Sequence, residues 1–472
     1  MEKKEIKGRN GFLKGAAWIA AGGFIAKLIG AFYRIPLTNL IGGHGLGLYQ
    51  LVYPVYCLLL TVSATGIPSS IAKLTAERAA KGENGLPVFK TAMKLFLLIG
   101  VFATILMALC APILARAQNS GEVLGGYYAL APSVVLVSAI SVFRGWFQGH
   151  NHMHPTAFSE ITEQAVKVGF GLLFAYLYRS NIQKAVVFLL LSVSISELFA
   201  LLLMLFFYKK TPKSKKNGGR CAFKTVLRLS IPVTFNSILL PMSALLDSVL
   251  VPKLLSSYAQ DPIALYGLFS GGATTMINLP VSICYGIAAA SIPAVSAAAA
   301  VRKDQTTLRK DKTASPAQAN AIPRKAPSSV RKKIGFALLI TALVSTPCAI
   351  GLYLFAEPAV TLIFRSLTIT ETQTLVHLVR IFSVSAVTLS CVQTLSACLT
   401  AQGKPLYSAF SMLVGLVLKT VIYLRLLPNA EISVYGMAIA TNLCYLVAFF
   451  LDLLYNLWVS RRKKSTRKEN DL

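Results

Sequence analysis

Twelve apolar stretches, each long enough to cross a hydrocarbon layer, follow one another along this chain and leave little sequence for anything else. A bilayer core about 30 Å thick takes roughly 20 residues of helix, since each backbone N–H and C=O must find its partner within the segment. The first six stretches lie near 11–33, 46–66, 89–112, 126–148, 160–178 and 183–208. The second six lie near 226–251, 264–290, 334–356, 376–400, 405–424 and 432–458. Composition agrees, with 55% of the 472 residues hydrophobic and only 14% charged, against about 25% charged in soluble domains. A net charge of +29 would suit a nucleic-acid binder, but not one this apolar. The expected class is an all-α polytopic membrane protein. Lys3, Lys4, Lys7 and Arg9 precede a first stretch too long for a signal peptide, which reads as an uncleaved helix.

The basic residues orient the spans. Eight Lys/Arg fall in 209–228, ten in 299–333, and further groups in 1–15, 67–94 and the tail, all on one side if the spans alternate. Basic residues of short loops stay cytoplasmic, so twelve spans with both termini cytoplasmic are expected, the cationic loops facing anionic lipid headgroups. Seven of the eight cysteines sit within apolar stretches without metal-ligand spacing and read as packing residues.

The two sets of six spans can be superposed. Pro36 and Tyr49 match Pro252 and Tyr266, and Ile67–Pro68 matches Ile292–Pro293. Gln148–Gly149 and Pro155 match Gln402–Gly403 and Pro405, each followed by a helix bearing one lysine, Lys167 or Lys419. Six spans per half is an even number, so the halves run parallel, as in transporters whose lobes rock about a central site. The expected organisation is an N-terminal six-helix lobe over 1–208 and the first two helices of a C-terminal lobe over 209–298. A basic cytoplasmic linker over 299–333, the remaining four helices over 334–460 and a basic tail over 461–472 follow.

Ionisable residues inside spans cost about 2.5–3.5 kcal/mol on insertion scales and normally face a partner or a wet cavity. Lys27, in the middle of the first span, is placed to attract an anionic headgroup, and Asp247 occupies the corresponding helix of the second half. Glu163 and Lys167, four residues apart, suit a local ion pair; with Lys419 they form a candidate lobe charge network. Arg144 and Asp452 lie near the cytoplasmic ends of their spans, within reach of the headgroups, and Glu197 has no sequence-local partner. Pro54, Pro232, Pro241 and Pro280 interrupt spans and are expected to bend them, Pro54 splitting span two.

The stretches KLIGAFYRIPLTNLIGGHGLGLYQLVYPVY (27–56), TGIPSSIAKLTAE (65–77), FRGWFQGHNHMHPTAFSEITEQ (143–164) and LTAQGKP (399–405) resemble the multidrug/oligosaccharidyl-lipid/polysaccharide flippase superfamily. Within it they look most like the stage V sporulation protein B and polysaccharide-biosynthesis branch, related to the lipid II flippases. The resemblance implies a MATE-like fold of two six-helix lobes in a bacterial plasma membrane, alternating access without bond chemistry, and a polyprenyl-pyrophosphate-linked saccharide as cargo. It further implies a role in spore-cortex or cell-wall polysaccharide synthesis, with wall-synthesis enzymes as partners and no nucleic acid. Lys27 matches the basic residue those flippases keep before the Leu/Ile-Gly of the first helix, and Arg34 matches the one just after it, displaced by one position. With Arg144 and Asp247 they are the candidate substrate-binding residues. The arginine of the family's second helix has no counterpart, since 53–60 (YPVYCLLL) is uncharged, and twelve spans replace the fourteen of many lipid II flippases. No cofactor is implied beyond a coupling ion, Na+ or H+, or the membrane potential.

Three other readings remain open. A multidrug/cation antiporter of the same fold needs carboxylates facing its N-lobe cavity, and spans one to four contain none. A membrane enzyme needs a catalytic loop, and the longest outer loop, 357–375, carries only Glu357, Arg365 and Glu371 as charged candidates; the alternating His150, His152 and His154 lack a carboxylate set for a metal. A membrane scaffold for wall synthesis would leave the intramembrane charges dispensable.

Overall fold

The computed structural model describes residues 2–80, 83, 85–211, 223–284, 286, 295–296 and 330–465, nearly all of them helical. Most of the basic linker, residues 212–222 of the earlier basic loop, Ile292–Pro293 and the tail beyond 465 lie outside the described residues. Eight helices among the described residues are long and apolar enough to cross a membrane. The chain is an all-α multi-pass membrane protein.

Contacts divide the chain into two compact units, one of Met1–Gly271 with Ile363–Thr372, the other of Gly272–Leu362 with Gln373–Leu472. The first begins with α1 (Glu2–Leu60), which joins the first two expected spans across Gly42 (φ 66, ψ −172). That backbone region is open essentially to glycine alone, so one residue makes the whole turn. Span two is not split at Pro54; α1 runs through it, and the irregularity falls at a π-helical turn, Thr61–Thr65. Proline at 54 leaves the carbonyl of residue 50 without its i+4 donor. Tyr266 supplies one, its hydroxyl donating to Gln50 O at 3.3 Å.

The unit continues with α2 (Ile67–Ala80), α3 (Leu86–Ala117), α4 (Leu124–Gly149), α5 (His154–Leu177) and α6 (Ile182–Lys210). α3 shows how such helices are built. Leu98, Phe102, Ile105, Leu109 and Ile113 form an exposed stripe at helical spacing, while Ala92, Gly100, Ala103, Met107 and Ala111 are buried. Large apolar groups outward and small ones inward suit a helix solvated by lipid, where close backbone approach replaces the hydrophobic effect as glue. At Gly100 a Cβ would lie 2.7 Å from Ser138 Oγ of α4. Ile67, Ile71, Phe89, Phe143, Trp146 and Met204 make the core of this half, with the Phe89 and Tyr208 rings stacked at 4.8 Å.

The expected span 226–251 is instead two helices, α7 (Phe223–Ser237) and α8 (Leu239–Leu255). Pro241 removes the donor for the Ser237 carbonyl, which places the break there. α9 (Pro262–Gly267) follows and passes into a second π-helical turn, Leu268–Ala273. α10 occupies 274–284.

In the second unit, α11 (Val330–Leu354), α14 (Val384–Ala401), α15 (Pro405–Leu426) and α16 (Tyr435–Ser465) pack closely. The hydroxyls of Thr341 and Thr394 meet at 2.9 Å, and a Cβ at Gly415 would stand 2.7 Å from Cys444 O. Between α11 and α14 the expected outer loop is largely helical, as α12 (Ala356–Ile363) and α13 (Ile369–Phe382). The link between them packs with the first unit, where Ser366 Oγ donates to Thr38 O at 3.1 Å.

Candidate functional site

The intramembrane charges of the first unit converge where α1, α4, α5 and α6 meet. α1 lies against α5 through glycines: a Cβ at Gly22 would stand 2.7 Å from Ala157 Cβ, and one at Gly30 3.3 Å from Gln164 Oε1. Lys27 occupies the register position between Gly23 and Gly30; its side chain lies outside the described residues.

α5 carries the charged face. Arg144, from the last turns of α4, reaches across to it, with Nη2 3.1 Å from Glu163 Oε2 and Nε donating to Ser159 Oγ at 3.0 Å. Gln164 Nε2 donates to the other Glu163 oxygen at 3.1 Å. Arg144 therefore does not extend to the headgroups; its side chain is 15% exposed. A guanidinium presents several donors in a fixed fork, so an ion pair plus a hydroxyl satisfies it inside the bundle. The expected Glu163–Lys167 pair is likewise absent, because the Glu163 carboxylate is turned toward the arginine. Lys167 remains half-buried in the fields of Glu163, Arg34 and Glu197, and no carboxylate among the described residues is within ion-pair distance of it.

Arg34, half-buried on α1, acts on Tyr49, Tyr53, Cys57 and Lys167. Glu197 of α6 is buried, accepts a 3.4 Å hydrogen bond from Tyr56 and leaves its second oxygen without one. Tyr56 ends a ladder in which Tyr49 and Tyr53 stack at 5.1 Å and Tyr53 and Tyr56 lie 5.6 Å apart. The ladder and the Glu197 partner escaped sequence reasoning, although the spacing of 49, 53 and 56 is that of one helix face. The site thus places Arg34, Arg144 and Lys167 among Glu160, Glu163 and Glu197, with Arg144 and Glu163 closely paired.

The other expected residues lie apart from this cluster. Asp247, half-buried on α8, acts on the Tyr266 hydroxyl. Lys419 belongs to the second unit, where it is buried with its ammonium 5.3 Å from the centre of the Tyr423 ring. Asp452, also expected near the headgroups, is instead completely buried between helices, because its short side chain points to Ser408. His150 Nδ1 is engaged with Trp146 O at 2.9 Å, and no metal-holding group of His, Cys, Asp or Glu occurs among the described residues.

A separate charged group lies just past the Gly42 turn. His44 Nδ1 is 2.7 Å from Asp261 Oδ2 and its Nε2 is 3.1 Å from Glu122 Oε2, tying α1 to the turn before α4 and to the start of α9. The hydrogen bond with Asp261 is the chief reason His44 is pushed up to about 9, against the opposing effect of burial. Burial works against the Asp261 carboxylate too, but hydrogen bonds from His44 and the Ala264 amide hold it below the usual carboxylate range.

Known proteins resemble this chain in sequence and in fold. Stage V sporulation protein B of Bacillus subtilis (strain 168) is 29% identical over 300 residues, which is 60% of this chain and 58% of that one. The lipid II flippase MurJ of the same organism is 22% identical over 481 residues, covering 95% of this chain and 82% of its own. A multidrug-resistance MATE family transporter of the MOP superfamily, solved in an inward-facing conformation, superposes with a TM-score of 0.75 at 17% identity, covering 93% of this chain and 96% of the other. That likeness establishes a MATE-like fold. A family model described as polysaccharide biosynthesis protein matches residues 12–299, and the chain is a member of that family.

Proposed function

We propose that this protein is a flippase for a polyprenyl-pyrophosphate-linked saccharide, a precursor of cell-wall or spore-cortex polysaccharide, in a bacterial plasma membrane. The observation that carries the reading is Lys167. An ammonium half-buried among apolar spans, with Arg34 nearby and its expected carboxylate taken by Arg144, is a cation held ready for an anion. Family membership and the similarity to MurJ and stage V sporulation protein B support the cargo class.

On this reading Lys27, Arg34 and Lys167 neutralise the pyrophosphate, Arg144 and Glu163 hold α4 and α5 in register, and the Tyr49–Tyr53–Tyr56 ladder ties α1 to Glu197 of α6. The prenyl chain stays in lipid. The six-helix halves exchange access to the two leaflets with no bond made or broken, and Asp247 and Lys419 serve the second half. Moving one charge across 100 mV is worth about 2.3 kcal/mol, enough to bias the return step.

The test is reconstitution in liposomes with fluorescent polyprenyl-pyrophosphate saccharides. Wild type is expected to move the lipid between leaflets, and Lys27→Ala, Arg34→Ala and Lys167→Ala each to slow it at least tenfold while Gly169→Ala does not. Efflux of cationic dyes without movement of the lipid, or full activity in all three lysine and arginine variants, overturns the reading.

A further inference from the structure

Asp452 has no role in the site above, and its surroundings are unusual for a carboxylate. It is completely buried on α16, facing α15 and α14. Oδ2 accepts a hydrogen bond from Ser408 Oγ at 3.4 Å, while Oδ1, equally buried, meets no hydrogen-bond donor. Ser411, one turn along α15, is buried as well and directs its hydroxyl to Tyr407 O at 3.0 Å. One turn below, Asn456 Nδ2 donates to Asp452 O at 2.9 Å and to Leu395 O at 3.2 Å, and its oxygen accepts from Gln402 Nε2 at 2.9 Å.

Among the described residues no cation answers the charge. The titratable and charged groups on the packed elements are Cys391 and Cys398 of α14, Tyr407, Lys419, Tyr423 and Arg425 of α15, and Arg331, Lys332, Lys333, Cys348 and Tyr353 of α11, with Tyr435, Cys444, Tyr445 and Tyr455 on α16 itself; among the described residues none forms an ion pair with Asp452. Lys419 sits eleven residues from Ser408, about 16 Å along the helix. An isolated carboxylate in an apolar interior is strongly disfavoured as the ion. A serine hydroxyl both donates and accepts, so Ser408 can serve either the ion or the acid. A lysine in its place would hold the ion alone.

We propose that Asp452, with Ser408 and Ser411, is a proton-binding site of the second unit. The carboxyl carries a proton while α14, α15 and α16 are packed as observed, and gives it up when those helices part and water enters. Proton release is thereby tied to a change in helix packing, which is what a proton-driven transport cycle requires. Only this last step rests on the flippase reading; the site itself does not.

Infrared difference spectroscopy of the protein in nanodiscs tests the site directly, on wild type, Asp452→Asn and Ser408→Ala between about pH 5 and about pH 8. Wild type is expected to show a protonated-carboxyl C=O band at neutral pH that is missing from Asp452→Asn, and Ser408→Ala to shift that band to higher wavenumber by removing a hydrogen bond. Identical wild-type and Asp452→Asn spectra, or a band unmoved in Ser408→Ala, overturn the proposal. A band lost when Na+ replaces choline at fixed pH overturns it in favour of a metal cation. In liposomes, an imposed pH gradient is expected to stimulate wild type at least fivefold and Asp452→Asn not at all; equal stimulation of both overturns the coupling. An absent band defeats this site and leaves the cargo reading standing, whereas failure to move lipid-linked sugar leaves the band in place.

Discussion

Replacing Gly267 by alanine tests how closely α1 and α9 approach. A Cβ at Gly267 would lie 2.5 Å from Gly47 N and 2.7 Å from both Gly47 Cα and Gly43 O. All three are backbone atoms, so no side chain can swing aside. Ordinary contact begins at 3.4 Å, so the helices must part by about 0.9 Å to relieve the shortest approach. The separation strains two neighbouring contacts, Gln50 Nε2 to Ser270 O at 3.0 Å and Tyr266 to Gln50 O at 3.3 Å. Overpacking costs about 1–3 kcal/mol, and each weakened neutral hydrogen bond about 0.5–1.5 kcal/mol. A net cost of about 2 kcal/mol to the packed arrangement corresponds to roughly thirtyfold in the population of parted helices. The assay is the maleimide labelling rate of Leu46→Cys, a position buried beside Gly271, in a background without reactive cysteines. Labelling is expected to rise by about that factor in Gly267→Ala. Gly169 of α5 is the control, since a Cβ there meets nothing within 4 Å; alanine should stabilise the helix by up to about 1 kcal/mol. The two glycines therefore predict opposite signs. Unchanged labelling in Gly267→Ala together with a raised melting temperature would refute the close approach.

Two further predictions follow from the charges. His44, raised from 6.5 to about 9 by its carboxylate partners, contributes stability that is whole below about pH 6.5 and is lost as the pH rises through about 9. The melting temperature in detergent should fall over that window, and His44→Gln should flatten the dependence. For the Arg144–Glu163 pair, removing one partner of a buried ion pair leaves the other charge uncompensated and costs about 3–5 kcal/mol. Arg144→Met should lower the melting temperature more than the double variant Arg144→Met/Glu163→Gln; a double variant whose loss equals the sum of the singles would show that the two do not interact.

Much of this architecture was legible in the residues because a bilayer imposes length and polarity on any span. The long apolar spans, the helices bearing Lys167 and Lys419, and the presence of costly charges at Arg144, Glu163, Lys167 and Glu197 all follow from local sequence. Hydropathy gives the depth of a residue but not its azimuth, and the site depends on azimuth. Whether Glu163 faces Lys167 on its own helix or Arg144 on the next is settled by how α4 and α5 rotate against each other. The same holds for the buried oxygen of Asp452, for Tyr56 meeting Glu197 from 141 residues away, and for the hydroxyl of Tyr266 answering the carbonyl that Pro54 leaves bare. Sequence alone determined which groups had to be satisfied inside the membrane. Tertiary packing alone chose their partners, because a hydrogen bond or ion pair forms only where two backbones bring the atoms within about 3 Å.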